Sequence, residues 1–404
     1  MPLLRPFYSG IGISKDDIYL RTLFGCIEML KTGTTCIIDD VVQSPFNDEE
    51  KLDAIMQAYK KAGIRAYVTT HVSDKSIEDT IPYLKEQFSC YNINAPQPSD
   101  TKDIISYVES KLKKYNVNGA VQKYAVAPSG PQRCTDELLV SLSNLSLKHK
   151  VPAVCHTLET YVQKKTGDYF YNKTLVKRLY DLKAINQYSN LIHCVWVTDE
   201  DIELIRECNG KIVHNPSSNM KLGSGIAPVR KFLDNGIPVG LGTDNTSSND
   251  AINIFLEMRE AALIHKVNTK NYDKWIGAYD SLEMGTLGGA KCAGLDSEIG
   301  TVEAGKKADI VIIETRNASY VPTNDYVKHL VFAENGSCVR DVFVDGRLVV
   351  NDKQITTFNE GEVIDEICEL MQKIYIEQDL AVAEAEKIGE ALKYAYQKST
   401  YDRQ

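Results

Sequence analysis

The chain has 404 residues, 43% of them hydrophobic and 8% aromatic, enough to bury a large core with a smaller unit beside it. Its 46 basic and 55 acidic side chains leave a formal charge of −9, and the basic residues are scattered, which argues against a nucleic-acid groove. The ten cysteines form no C-x-x-C pair, no apolar run approaches the roughly 20 residues of a membrane helix, and Met1-Pro2-Leu3-Leu4-Arg5 does not lead into a signal peptide, so the expectation is a soluble, cytoplasmic protein with reduced thiols.

In chain order, residues 14–30 show apolar side chains at helical spacing, followed by a β-branched run at 36–39, a helix at 49–62 and a strand at 66–70. A helix is expected at 103–115, a strand at 121–127, a helix at 135–148 and strands at 152–156 and 191–195. A helix at 199–208 and strands at 211–214 and 238–242 complete the series. This alternation predicts an α/β fold with a parallel sheet, and the seven strands are one short of a closed (β/α)8 TIM-type barrel. The runner-up, an open doubly wound sheet, calls for a G-x-G-x-x-G turn after a strand, and the chain has none.

After Gly294 the pattern changes to short strands at 296–301, 308–313 and 339–350, the last a hairpin turning at Asp345-Gly346. Residues 360–397 are charged and amphipathic, a helix covering apolar surface rather than a site. The expected organisation is a barrel over 1–294, a small β-sandwich part over 295–358 and a helical segment over 359–404.

In a parallel barrel the chemistry sits at the C-terminal ends of the strands. There the sequence places His156, His193, His214 and, after Gly242-Thr243, Asp244. Imidazole and carboxylate together suit a divalent metal, zinc first and iron second. A single strand-end histidine is more often a hydrogen-bonded structural residue, but recurrence at one rim favours ligands. His71 also follows a strand, yet Val72-Ser73-Asp74 supplies no supporting pattern, and His149, His265 and His329 read as structural. Glu159, three residues beyond His156, suits general acid–base work; the alternative is a helix-start acid that complements the macrodipole.

Leu191-Ile192-His193-Cys194-Val195, Val213-His214-Asn215-Pro216-Ser217-Ser218-Asn219-Met220-Lys221-Leu222-Gly223 and Gly240-Leu241-Gly242-Thr243-Asp244-Asn245-Thr246-Ser247-Ser248-Asn249-Asp250 together resemble the amidohydrolase superfamily. Glu28-Met29-Leu30-Lys31-Thr32-Gly33-Thr34-Thr35 and Ile299-Gly300-Thr301-Val302-Glu303-Ala304-Gly305 are further family-like signatures. The branch is the one holding S-adenosylhomocysteine/methylthioadenosine deaminases, guanine deaminase and atrazine chlorohydrolase.

The resemblance implies a metal-dependent hydrolase, an aminohydrolase of an amino-substituted purine, pterin, pyrimidine or triazine. Its alternatives are a chlorohydrolase on the same site and an inactive homologue. His156 would be a metal ligand, Glu159 the proton shuttle, Asp244 both ligand and base, and His193 either a further ligand or the group that polarises the leaving site. Asn245 and Ser248 resemble substrate-touching positions of the triazine-hydrolysing members, and His214 and Asn219 would line the pocket. Ser129 stands where the nucleoside deaminases usually carry a histidine, which argues against an adenosine-type substrate. The partner is then a small heterocycle, with a homodimer or larger homo-oligomer expected by base rate. The family's first strand carries an H-x-H pair that no two of the seven histidines reproduce, so a segment upstream of Met1 is expected to hold it.

Overall fold

The computed structural model describes residues 14–401, without the side chains of 373–385 and 387. The helix Lys15–Lys31 starts at a capping box: Ser14 Oγ accepts from the Asp17 amide, and the Asp17 carboxylate accepts from the Ser14 amide. Its Leu23, Cys26, Met29 and Leu30 are buried at helical spacing, giving the stripe that packs inward. The helix Glu49–Ala62 is capped by Asp48 at one end and by Gly63 at the other. Gly63 has φ +81, and a Cβ there would meet Val349 at 3.0 Å, so both the left-handed turn and the close packing require glycine.

The parallel strands are β1 (Cys36–Val41), β2 (Arg65–Val72), β3 (Gln122–Tyr124), β4 (Ala127–Pro128), β5 (Ala153–Thr157), β6 (Ser189–His193), β7 (Lys211–His214) and β8 (Val239–Leu241). They follow the course of an α/β barrel. One hydrogen-bonded run is β1–β2–β3 with β4 also on β2, the other is β5–β6–β7–β8, and a Val126–Ala153 bridge joins them. Among the described residues β1 and β8 are not paired with each other. The strand expected at 121–127 is broken into β3 and β4, because the amides of Ala125 and Val126 turn to different neighbours, Val68 and Pro152 respectively.

A separate antiparallel sheet runs β12 (Gln354–Ile355), β11 (Arg347–Asn351), β10 (Val339–Val344), β9 (Ile310–Ile313), with the β10–β11 hairpin turning at Asp345-Gly346 as expected. The strand expected at 296–301 is instead a turn, in which the amides of Glu298 and Ile299 return to the Leu295 carbonyl. Gly300 follows at φ +94, packed so closely on Ala290 that a Cβ would lie 2.6 Å from it, which leaves no room for an extended course.

The long helix Glu360–Tyr401 packs on the barrel through two apolar patches, Val363, Ile367 and Leu370 near its start and Ile388, Ala391, Leu392 and Ala395 near its end. The second patch joins Ile81, Leu84, Phe88 and Val162. No helix among the described residues is long and apolar enough to cross a membrane.

One buried ion pair ties the sheet to the barrel. Arg65, at the start of β2, donates from Nε and Nη2 to the two oxygens of Asp309, at 3.1 and 2.9 Å. Asp309 also accepts the amide of Asp345 in the hairpin turn at 2.8 Å. With side-chain exposures of 7% and 3%, removing one partner leaves a charge without water or counter-ion. Arg65→Ala is therefore expected to lower the unfolding free energy in urea by about 3–5 kcal/mol; a loss below about 1 kcal/mol would place the pair among ordinary solvated surface pairs.

Candidate active site

The strand ends open into a cavity of about 2070 Å³ whose lining includes Asp40, His71, Ser129, His156, Glu159, His193, Asp244 and Asn245. Ile367, Met371 and Tyr396 of the C-terminal helix line it too, so that helix borders the cavity as well as covering the barrel.

Three imidazoles in this cavity share a design. His156 Nδ1 faces the Ser129 carbonyl at 3.1 Å, His193 Nδ1 faces Asn219 Oδ1 at 2.9 Å, and His71 Nδ1 faces Asp40 Oδ2 at 2.7 Å. Each partner is an oxygen acceptor, so each Nδ1 is the donor. The rings follow one another along the rim, with centroids 5.4 Å apart from His71 to His156 and 5.6 Å from His156 to His193. Burial pushes His156 down to about 4, against the pull of Asp40, so it is neutral near pH 7 and available as a ligand.

Asp244 lies just beyond β8 with a left-handed backbone, φ 57. Its Oδ2 accepts from Ser218 Oγ at 2.5 Å, and its Oδ1 accepts from the Asn245 amide and side chain at 2.7 and 3.0 Å. Burial alone would raise its pKa, but His193, Ser218 and Asn245 together hold it below the usual carboxylate range, so it is ionised. Glu159 follows β5 after Leu158 at φ 51; its amide donates to Gln163 Oε1 at 2.7 Å, and its Oε2 stands 3.9 Å from His193 Nε2. Leu158, His193 at φ 71 and Asp244 are all non-glycine residues in the left-handed region, where packing must over-determine the backbone.

Some residues named from the sequence stand elsewhere. His214 is buried, outside the cavity lining, with its Nε2 3.1 Å from His265 Nε2. Burial holds both imidazoles below the ordinary histidine value, His265 at about 4, so this is a neutral N–H···N pair. Asn219 is buried behind His193, and the Ser248 hydroxyl donates to the Asn245 carbonyl at 2.9 Å; neither lines the cavity.

Two residues entered the site against expectation. His71 belongs to it because β2 brings it beside Asp40, the penultimate residue of β1. Asp40 meets the same criterion that singled out the other strand-end residues, and the Asp39-Asp40 pair at the end of β1 was its signal. Among the described residues, the trio whose donor atoms all lie within 4.8 Å of one another is Asp40, His71 and His156. His156, His193 and Asp244 are not drawn together to that degree. Arg133 also lines the cavity, donating to Ser129 Oγ at 3.3 Å.

Residues 2–349 match the model of the amidohydrolase family. The chain belongs to that family. It is 31% identical over 361 residues to the 5-methylthioadenosine/S-adenosylhomocysteine deaminase of Syntrophobacter fumaroxidans, covering 89% of this chain and 76% of the relative. It is 32% identical over 354 residues to the 5'-deoxyadenosine deaminase of Methanosarcina mazei, covering 88% and 75%. Among solved structures, an adenosine deaminase from Xanthomonas campestris with bound zinc superposes with a TM-score of 0.80 at 23% identity, covering 92% of this chain and 78% of that one. An atrazine chlorohydrolase from Arthrobacter aurescens complexed with zinc gives 0.79 at 22% identity, covering 88% and 77%. These amidohydrolases share the barrel with a separate antiparallel sheet, and membership of the family makes the chain a hydrolase of carbon–nitrogen bonds.

Behind the rim, the buried Glu257 accepts from Asn249 Nδ2 at 2.8 Å and from the Ser217 amide at 3.3 Å, bracing the two segments that flank Asp244. Burial pushes its pKa up to about 7 from 4.5. Between those values the folded protein keeps a proton that the unfolded chain has released, so stability falls as pH rises through this window. Glu257→Gln is expected to flatten that slope, worth about 3 kcal/mol at most, in unfolding curves recorded from pH 4.5 to 7.5; an unchanged slope would remove Glu257 as its source.

Proposed function

We propose that the protein is a metal-dependent aminohydrolase that replaces an exocyclic amino group of a nitrogen heterocycle with oxygen. The observation that carries this reading is the meeting, in one cavity, of an ionised and fully hydrogen-bonded Asp244 with Glu159 and His193. The names of the relatives, deaminases of adenosine derivatives, support the reaction class.

Asp244, fixed by Ser218 and Asn245, orients the attacking water and takes its proton. Glu159, with its backbone held by Gln163 and its carboxylate beside His193, carries a proton to the departing nitrogen. His193 donates from Nδ1 to Asn219 and turns its Nε2 toward Glu159, where it would serve as a ligand. Asn219 therefore acts through His193, and Ser248 through Asn245, while Ser129 and Asn245 remain available to substrate. His214, turned to His265, supports the rim from behind.

The donor chemistry fits a divalent cation: imidazoles with anchored Nδ1 atoms and an ionised carboxylate. His156, His193 and Asp244 would hold it, with zinc, the ion in two of the solved neighbours, ahead of iron. When bound, such an ion supplies a water acidic enough to react near neutral pH. The barrel, described over 14–294, is the catalytic unit in this reading, with 295–358 supporting it and the helix Glu360–Tyr401 bordering the cavity.

Within the heterocycles, the relatives favour 6-aminopurine nucleosides, whereas Ser129 in place of the usual histidine favours a different ring. A panel of aminopurines, pterins, aminopyrimidines and triazines, read by ammonia and halide release from the 404-residue chain, separates them. Ammonia release is expected, with Asp244→Ala and Glu159→Gln each lowering kcat/KM by about 10²–10⁴-fold in folded protein. Halide release without ammonia would replace the deaminase reading with the chlorohydrolase one. Activity untouched by Asp244→Ala would sink both.

A further inference from the structure

On the β1–β2 side of the cavity stands a second group of donors, which shares His156 with the proposed catalytic set. Asp40 is the penultimate residue of β1, His71 stands beside it on β2, and His156 stands on β5 with β4 between. Asp40 Oδ2 is 2.7 Å from His71 Nδ1 and 3.8 Å from His156 Nδ1, and all three donor atoms fit within 4.8 Å. Donors held about 2.0–2.2 Å from one tetrahedral zinc ion stand about 3.3 Å apart. The two shorter edges of this triangle therefore bracket what a metal would impose, and side-chain shifts of about half an ångström would equalise them.

The surroundings also match a built site rather than a chance meeting. The second oxygen of Asp40 accepts from Thr69 Oγ1 at 2.8 Å, which fixes the carboxylate as an outer partner fixes a metal ligand. All three side chains line the cavity and keep some exposure, 15% for Asp40, 17% for His71 and 28% for His156, so an ion has a way in. Among the described residues His71 Nε2 has no hydrogen-bond partner. Its imidazole can move its proton there and present Nδ1 to a cation, a change of tautomer that leaves the proton count unchanged. His156 would exchange its hydrogen bond to the Ser129 carbonyl for the metal in the same way.

We propose that Asp40, His71 and His156 form a divalent-metal site of two imidazoles and one carboxylate. Three protein donors leave a position open to the cavity for water or a substrate atom. The site shares His156 with the residues that would hold the ion in the aminohydrolase reading, so the two sets are alternatives for one ion, and metal affinity rather than turnover tells them apart.

The test strips the full 404-residue chain with chelator and titrates it with zinc and, for its visible spectrum, cobalt(II), alongside His71→Asn, Asp40→Asn and Asp244→Asn. These changes are checked for retained circular dichroism and Tm. The parent chain is expected to bind zinc, with affinity falling at least about 100-fold in both His71→Asn and Asp40→Asn, and to give a cobalt spectrum that both changes abolish. Parental zinc affinity in His71→Asn and Asp40→Asn, with loss in Asp244→Asn, would overturn the proposal and leave the catalytic set as the metal site. A parent chain that takes up no zinc at 100-fold excess also overturns it. Ammonia release is followed separately, so zinc bound through His71 without turnover would count against the aminohydrolase reading alone.

Discussion

A buried imidazole has two nitrogens, and the oxygen that engages one of them decides what the other can do. Asp40, Ser129 and Asn219 accept from the Nδ1 atoms of His71, His156 and His193, which fixes the orientation of each ring. Low dielectric keeps His156 neutral, and hydrogen bonds keep Asp244 ionised. The chemistry available at the rim follows from those acceptors as much as from the histidines themselves.

Holding the acceptors in place is a matter of barrel construction. Asp40 and His71 meet because β1 and β2 run parallel in a register that sets Asp40 opposite Thr69, whose hydroxyl takes the carboxylate's other oxygen. His193 and Asn219 meet because the helix after β7 folds back beneath β6. Left-handed backbone at Leu158, His193 and Asp244 turns the chain sharply off each strand, and such residues cost of the order of 1–3 kcal/mol each unless packing over-determines them. The buried core beneath, with Leu30, Leu52, Ile64, Leu112 and Leu142 among its fully enclosed side chains, supplies that constraint at about 1.5–3 kcal/mol per side chain.

The antiparallel sheet and the long C-terminal helix serve the same end from outside. Arg65 and Asp309 couple the start of β2 to the hairpin turn, so the strand that carries His71 is anchored at its far end. Lys31 meets Glu360 at 2.8 Å where the long helix begins, and that helix then borders the cavity through Ile367 and Tyr396. The elements outside the parallel strands thus fix one wall of the cavity and the root of another.

Much of this was legible in the residues. Short β-branched or aliphatic runs and helical spacing identified the alternating strands and helices, and polar residues closing strands identified His156, with Glu159 three residues on, His193 and Asp244, because in a parallel barrel every strand delivers its last residues to one rim. Local pattern was silent wherever the partner came from another strand or helix. His71 looked unsupported because its support, Asp40, lies 31 residues away on β1, and His214 looked equivalent to His193 although His265, 51 residues on, draws it out of the cavity. The turn at 296–301 read as a short strand from the change of texture after Gly294, while the contact of Gly300 with Ala290 that bends it is tertiary. The sequence determined by itself which residue types reach the rim and in what order; the tertiary structure alone decided which of them share a hydrogen bond, since that depends on register and packing between segments remote in the chain.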